Sequence, residues 1–176
     1  RSRLRGCHAH GRFGPPAHPL VSGPMNLASL LEQHPPERPA LISRGRRTTF
    51  GELQDQVARL RGGLARLGIE PGDRVAIVAN NNWYFVVGYL ATLGVGAVAV
   101  PLNPQAPTSA MAHELSNVGA AAVIVGPSAK EQIAELGHAD LPGLEHRIGA
   151  GFTPENGTSL DELMGGEPVP LVDRAD

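Results

Sequence analysis

The chain has 176 residues, 41% hydrophobic and 18% charged, with a formal net charge of -2. That length suits one domain or a portion of a larger one, and it allows a real core. The near-neutral balance leaves no electrostatic footprint for nucleic acid or anionic lipid, and a single cysteine, Cys7, excludes an internal disulfide.

Charge and composition divide the chain at residue 24. Residues 1–24 hold Arg1, Arg3, Arg5 and Arg12, no acidic residue, and Pro15, Pro16, Pro19 and Pro24 among four glycines. Prolines and glycines at that density prevent a helix and leave no apolar face to bury, so the segment reads as a disordered basic leader. It lacks the apolar run of a secretory signal. With the lone cysteine, that fits a reducing, cytoplasmic compartment. Residues 25–176, from Met25 onward, read as one α/β unit.

Asn26 is placed to cap a short helix carrying Leu27, Leu30 and Leu31, which Pro35 and Pro36 end. Pro39–Ser43 and Arg47–Phe50 read as a hairpin around Arg44-Gly45-Arg46. Thr49 and Glu52 form a capping-box pair, in which each side chain satisfies a free N–H near the other. Leu53, Val57, Leu60, Leu64 and Leu67 then recur as one helical stripe, with Arg59, Arg61 and Arg66 off it, towards water. Gly68 stands where a left-handed cap would stop the helix.

Arg74–Ala79 is a short, nearly all-apolar run, as expected of a strand covered on both faces in a parallel sheet. Asn81 or Asn82 caps a helix whose apolar members include Phe85, Val86, Tyr89, Leu90 and Leu93. Ala97–Val100 and Ala121–Val125 read as two more buried strands, separated by a helix that opens at Thr108 or Ser109 and carries Met111 and Leu115. Ser128 and Glu131 repeat the capping-box spacing before a helix through Ile133 and Leu136. His146–Gly149 is a fourth strand, and Ser159 with Glu162 caps a last short helix. Alternating strands and helices predict an open, mainly parallel α/β sheet with helices on both faces.

The chemistry-bearing patterns are few. Gly94-Val-Gly96-Ala-Val-Ala99 matches a dinucleotide-binding spacing, but there the glycine turn must follow a strand and open a helix. Here the helix comes first, and the motif reads as a tight helix-to-strand turn. Trp83 to Leu102 carries no charge and is long enough to span a bilayer, yet Asn80–Asn82, Gly94, Gly96 and Pro101 break it into a helix and a strand. His8 and His10 beside Cys7 form a flexible triplet, and His113, His138 and His146 lack ligand spacing to one another. Asn156-Gly-Thr158 fits a glycosylation acceptor, which has no meaning without a secretory route. No nucleophile motif and no phosphate-binding Gly-x-x-x-x-Gly-Lys loop is present. The residues alone describe a scaffold.

Five stretches in order resemble the opening of the adenylate-forming (AMP-binding) ligases, particularly acyl-CoA synthetases of the fatty-acid type. They are Thr48–Leu53, Leu67-Gly-Ile-Glu-Pro-Gly-Asp-Arg-Val-Ala-Ile77, and Leu90–Pro104 with its Gly-Ala-Val-Ala-Val-Pro-Leu-Asn-Pro ending. Asn81, Phe85 and Tyr89, then Glu114-Leu115 with Val123–Val125, complete the set. The likeness covers residues 25 to about 130 and continues more weakly to 176. It implies the N-terminal lobe of the ligase fold. It also implies a reaction in which a carboxylic (fatty) acid and Mg-ATP give acyl-adenylate and pyrophosphate, followed by a thioester with coenzyme A. The family's Ser/Thr/Gly-rich ATP loop normally follows a stretch like Val169–Asp176, and that loop, the later adenylate-binding motifs and the catalytic lysine are not among these residues. The expectation is therefore a truncated acid–CoA ligase, inactive alone, with no catalytic, cofactor-binding or metal-binding residue assigned to it. Association with the missing remainder is the expected partnership. A non-catalytic docking module and a small membrane protein are the rival readings.

Overall fold

The computed structural model describes residues 26–172. The leader reading of residues 1–24 and the reading of Met25 as the start of structure lie outside them.

Asn26 accepts a hydrogen bond from Ala28 N–H (3.0 Å) and caps a 3₁₀ helix over Leu27–Gln33. Strands β1 (Pro39–Ser43) and β2 (Arg46–Thr49) make an antiparallel hairpin. Its two turn residues, Arg44 (φ 48) and Gly45 (φ 80), are both left-handed, the geometry whose twist suits a two-residue hairpin loop. The return strand ends one residue early because Phe50 opens helix α1 (Phe50–Arg66). The capping box forms as read: Glu52 N–H donates to Thr49 Oγ1 (3.3 Å), and Thr49 N–H donates to Glu52 Oε2 (2.8 Å). Leu53, Val57, Leu60 and Leu64 are buried, whereas Leu67 sits at the C-cap and is only partly covered. Burying each of these aliphatic groups stabilises by roughly 1.5–3 kcal/mol, an upper bound.

The rest is a doubly wound sheet. In chain order come β3 (Arg74–Val78), α2 (Trp83–Gly94), β4 (Val98–Pro101), α3 (Thr108–Val118), β5 (Ala122–Val125) and α4 (Lys130–Glu135). They are followed by β6 (His146–Gly149), β7 (Thr158–Ser159) and α5 (Leu160–Met164). The five strands β3–β7 are all parallel, in the order β4-β3-β5-β6-β7. Side chains alternate across it. Val75, Ile124 and Ile148 join α1, α2 and α5 in one core, while Ala76, Val78, Val123 and Val125 join α3 and α4 in the other.

Three sequence expectations are corrected. Arg61 does not reach water: it is 6% exposed, and its guanidinium donates to the Val169 carbonyl through Nε (2.8 Å) and Nη2. Burial lowers its pKa below the ordinary arginine value, with the charge of Glu32 acting against that shift. In α2, which forms as expected, the fully buried positions are Val87, Gly88, Ala91, Thr92 and Gly94, while Phe85, Val86, Tyr89, Leu90 and Leu93 are partly exposed. β4 is no buried strand. It is a sheet edge, and Val98 is 41% exposed. The capping box at Ser128 and Glu131 does not form, because a 3₁₀ turn over Pro127–Ala129 precedes α4 and leaves Ser128 Oγ buried without a partner. The two-residue strand β7 was not foreseen.

Residues 165–172 run as a strap back over α1 and α2. Val169 N–H donates to Ala58 O (3.2 Å) and Val172 N–H to Gly94 O (2.9 Å). Arg59 Nη1 donates to Gly166 O (3.1 Å), and Asn26 Nδ2 donates to both Leu93 O (2.7 Å) and Val172 O (3.3 Å). Glycines make the approach possible. A Cβ on Gly62 would overlap Glu167 O, and one on Gly94 would lie 3.0 Å from Arg61 Cδ and 3.2 Å from Leu171 Cδ2.

Candidate functional site

In sheets of this kind ligands gather outside the carboxyl ends of the strands, where the strand order reverses. Here the order turns at β3, so the relevant segments are Ala79–Asn82 after β3 and Gly126–Ser128 after β5. Between the two strands the backbone is shut. Gly126 N–H donates to Val78 O (2.9 Å), and a Cβ on Gly126 would stand 3.0 Å from Ala79 Cβ. The opening lies to one side.

There a cavity of about 530 Å³ is bounded by Leu41–Arg44 of the hairpin and by Asn80, Asn81, Asn82, Phe85 and Val86. Its walls form for local reasons. Asn82, in extended conformation, turns its Oδ1 back to accept from Phe85 N–H (3.2 Å), and so fixes where α2 begins. The uncapped alternative, Asn81, is left exposed on the rim. Phe85 stacks on Tyr89, ring centroids 5.8 Å apart. The hairpin is held above by Arg46, whose guanidinium lies 5.9 Å from the Trp83 ring, and Trp83 Nε1 donates to Gln56 Oε1 (2.9 Å). Tyr84 reaches across to Gly151, where a Cβ would come within 2.6 Å of its hydroxyl. An apolar wall with three asparagine amides, the Ser43 hydroxyl and one guanidinium can orient a small organic molecule, and no His, Cys, Asp, Glu or Lys side chain lines it.

A second cavity, about 580 Å³, lies between α4 and the loop after β6. Its charges do not converge on an empty centre. Arg147 Nη1 is engaged with Ile133 O (3.1 Å), Lys130 Nζ lies 5.5 Å from the Phe152 ring, and Glu145 and Glu155 share the rim. His138 lines this cavity, His113 bonds Asn117 (2.9 Å), and His146 stands 3.9 Å from Glu145. Those three histidines are not brought together. Gly94 and Gly96 form the helix-to-strand turn that the order of elements suggested, with Gly96 at φ 84. Cys7, His8 and His10 lie outside the described residues. Among the described residues no group of three or more His, Cys, Asp or Glu side chains could hold a metal ion, and no helix is long and apolar enough to cross a membrane.

A doubly wound lobe with its opening at the carboxyl edge defines a class, and comparison narrows it. The model of the AMP-binding enzyme family matches residues 28–169, and the chain belongs to that family. It is 36% identical over 150 residues to a (methyl-dioxo-octahydro-indenyl)propanoyl:CoA ligase of Mycobacterium tuberculosis, covering 82% of this chain and 29% of the relative. It is 30% identical over 132 residues to a long-chain-fatty-acid–CoA ligase of Thermus thermophilus, covering 73% of this chain and 24% of that protein. The apo structure of Mycobacterium smegmatis MbtA superposes with a TM-score of 0.77 at 28% identity, covering 88% of this chain and 29% of the other. The chain thus spans less than a third of the length of these relatives.

Proposed function

We propose that this chain supplies the N-terminal lobe of an acid–CoA ligase. The complete enzyme joins a carboxylate oxygen to the α-phosphorus of ATP, expels pyrophosphate, and then exchanges AMP for the sulfur of coenzyme A. The match of the AMP-binding family over residues 28–169 carries this reading. Relatives named for a fatty acid and for a fused-ring propanoate are consistent with a carboxylic acid substrate; a fatty acid is the class we favour.

The lobe's part is positional. Adenylation needs cations and N–H donors placed on developing phosphate charge. The sequence has no glycine-rich, lysine-terminated loop to do this, and the polar side chains lining the carboxyl-edge cavity are Arg44, Ser43 and three asparagines. Among the described residues no three His, Cys, Asp or Glu side chains gather where a metal ion could sit, and no step through magnesium is assigned to this lobe. The test is to replace the matching segment of the M. tuberculosis relative with residues 28–169 and to measure carboxylate-dependent ATP–pyrophosphate exchange. Retained exchange supports the reading. A chimera that melts cooperatively but shows no exchange with any carboxylate overturns it.

A further inference from the structure

The near-zero net charge of the chain averages over one concentrated patch. Residues 37–47 hold Arg38, Arg44, Arg46 and Arg47 against a single carboxylate, Glu37, and all five are exposed. Among the described residues no carboxylate lies within ion-pair distance of any of these four guanidiniums. The hairpin sorts them. On its inner face Leu41 pairs with buried Thr48, and Ser43 pairs with Arg46, whose guanidinium lies over the Trp83 ring. Side chains alternate along a strand, so Ile42 and its partner Arg47 turn outward together. Ile42 is 67% exposed, more than Leu27, Leu30 or Val98. The core does not require a large apolar side chain held in water beside unpaired arginines.

The turn is a second, independent sign. Arg44 has a φ of 48, a left-handed conformation for which Asn, Asp or Gly is the ordinary residue. An arginine there works against the backbone's preference, and its guanidinium has no hydrogen-bond or ion-pair partner among the described residues. Guanidiniums grip phosphate oxygens in pairs, and an isoleucine among them can reach the apolar boundary just beneath lipid headgroups. A protein partner needs a larger apolar centre than one side chain. Single-stranded nucleic acid needs stacking rings, and the outward pair of Ile42 and Arg47 has none. We infer that the outer face of the β1–β2 hairpin docks on an anionic phospholipid bilayer. Ile42 enters the interface, Arg38, Arg44 and Arg47 take phosphates, and Arg46 braces the hairpin on Trp83. Leu41–Arg44 also border the carboxyl-edge cavity, so docking brings its mouth to the bilayer surface. For the fatty acid proposed above, that is where the substrate partitions. This consequence rests on the ligase reading, whereas the docking rests on the hairpin alone.

The test uses the 176-residue chain with Cys7→Ser, labelled at Ile42→Cys with a polarity-sensitive fluorophore. It is titrated with vesicles of phosphatidylcholine containing about one-third phosphatidylserine. Emission at position 42 should shift to the blue on these vesicles and not on pure phosphatidylcholine. The same label at Ser116→Cys, exposed on α3, should shift on neither. In the unlabelled chain, Arg44→Asn with Arg47→Gln should weaken cosedimentation with the mixed vesicles about 25-fold, about fivefold for each charge. Both positions are exposed, so Tm should stay within about 2 °C. If Tm falls further, Arg47→Gln alone is compared, with about a fivefold loss expected. Arg3→Gln with Arg5→Gln removes the same charge near the N-terminus and should cost less than the hairpin pair. No shift at position 42, an equal shift at 116 or on pure phosphatidylcholine, or an N-terminal pair that costs as much overturns the proposal. A shift at 42 on polyglutamate but not on vesicles would mean an acidic protein partner, and overturns it too. No ATP or coenzyme A is present, so the docking stands or falls apart from the ligase reading, which ATP–pyrophosphate exchange decides.

Discussion

The two ends of the five-stranded sheet are finished in opposite ways. At one end β7 is two residues long and leads at once into α5, whose first turn is closed by Ser159 accepting from Glu162 N–H (3.1 Å) and by Thr158 Oγ1 donating to Glu162 Oε2 (2.9 Å). Leu160 and Leu163 then fold into the core beside α1, and the strap follows across Arg61. At the other end β4 is four residues long and half-exposed. Helix α5 and the strap close over α1 and α2, whereas among the described residues no strand pairs with the outer side of β4. Stability should therefore concentrate around α1 and the strap, and susceptibility to edge-to-edge pairing at β4.

Substitutions can break or sharpen this contrast. The largest effect is expected for Arg61→Ala. It leaves the Val169 carbonyl without its charged donor and empties the space beside Gly94, costing about 3 kcal/mol in chemical denaturation. Amide exchange at Val169 and Val172 should rise with it, while that at Ala99 does not change. Gly63→Ala should cost about 1–3 kcal/mol, because the new methyl would stand 2.7 Å from Leu163 Cβ. Thr49→Ala removes one half of the capping box and should lower stability by about 1 kcal/mol. Thr92→Val should be neutral or raise the stability of the chain by up to about 1 kcal/mol, since it deletes a buried hydroxyl that nothing satisfies. Smallest of all is Val98→Lys, expected within about 0.5 kcal/mol of the parent on an exposed position, yet reducing light scattering of concentrated samples by guarding the edge.

Much of the fold was legible because its signals are local. The capping box and leucine stripe of α1, the turn around Arg44-Gly45-Arg46 and the buried runs of β3 and β5 each depend on neighbours within a few residues. What could not be read depends on residues far away. Arg61 lies off the helical stripe, and only the strap, more than a hundred residues later, turns its position inward. The glycines at 62, 63 and 94 were the available signal, since helix glycines mark close approach. α2 is apolar all round, so its periodicity could not say that Val87 and Ala91, rather than Phe85 and Tyr89, face the sheet. The run Ala97–Val100 has the composition of a central strand, and composition does not distinguish an edge that another strand would cover. The candidate cavity is half visible in the sequence: Asn81 or Asn82 reads as a cap, but the opposite wall comes from the hairpin.

The central claim is that this lobe of an AMP-binding enzyme positions the chemistry without performing it. Pyrophosphate release by the purified 176-residue chain, supplied with Mg-ATP and a panel of fatty acids, tests that most directly. The account predicts no release above the protein-free background. Acid-dependent release that scales with chain concentration would contradict it, and would place a phosphate-handling group among residues to which none is assigned.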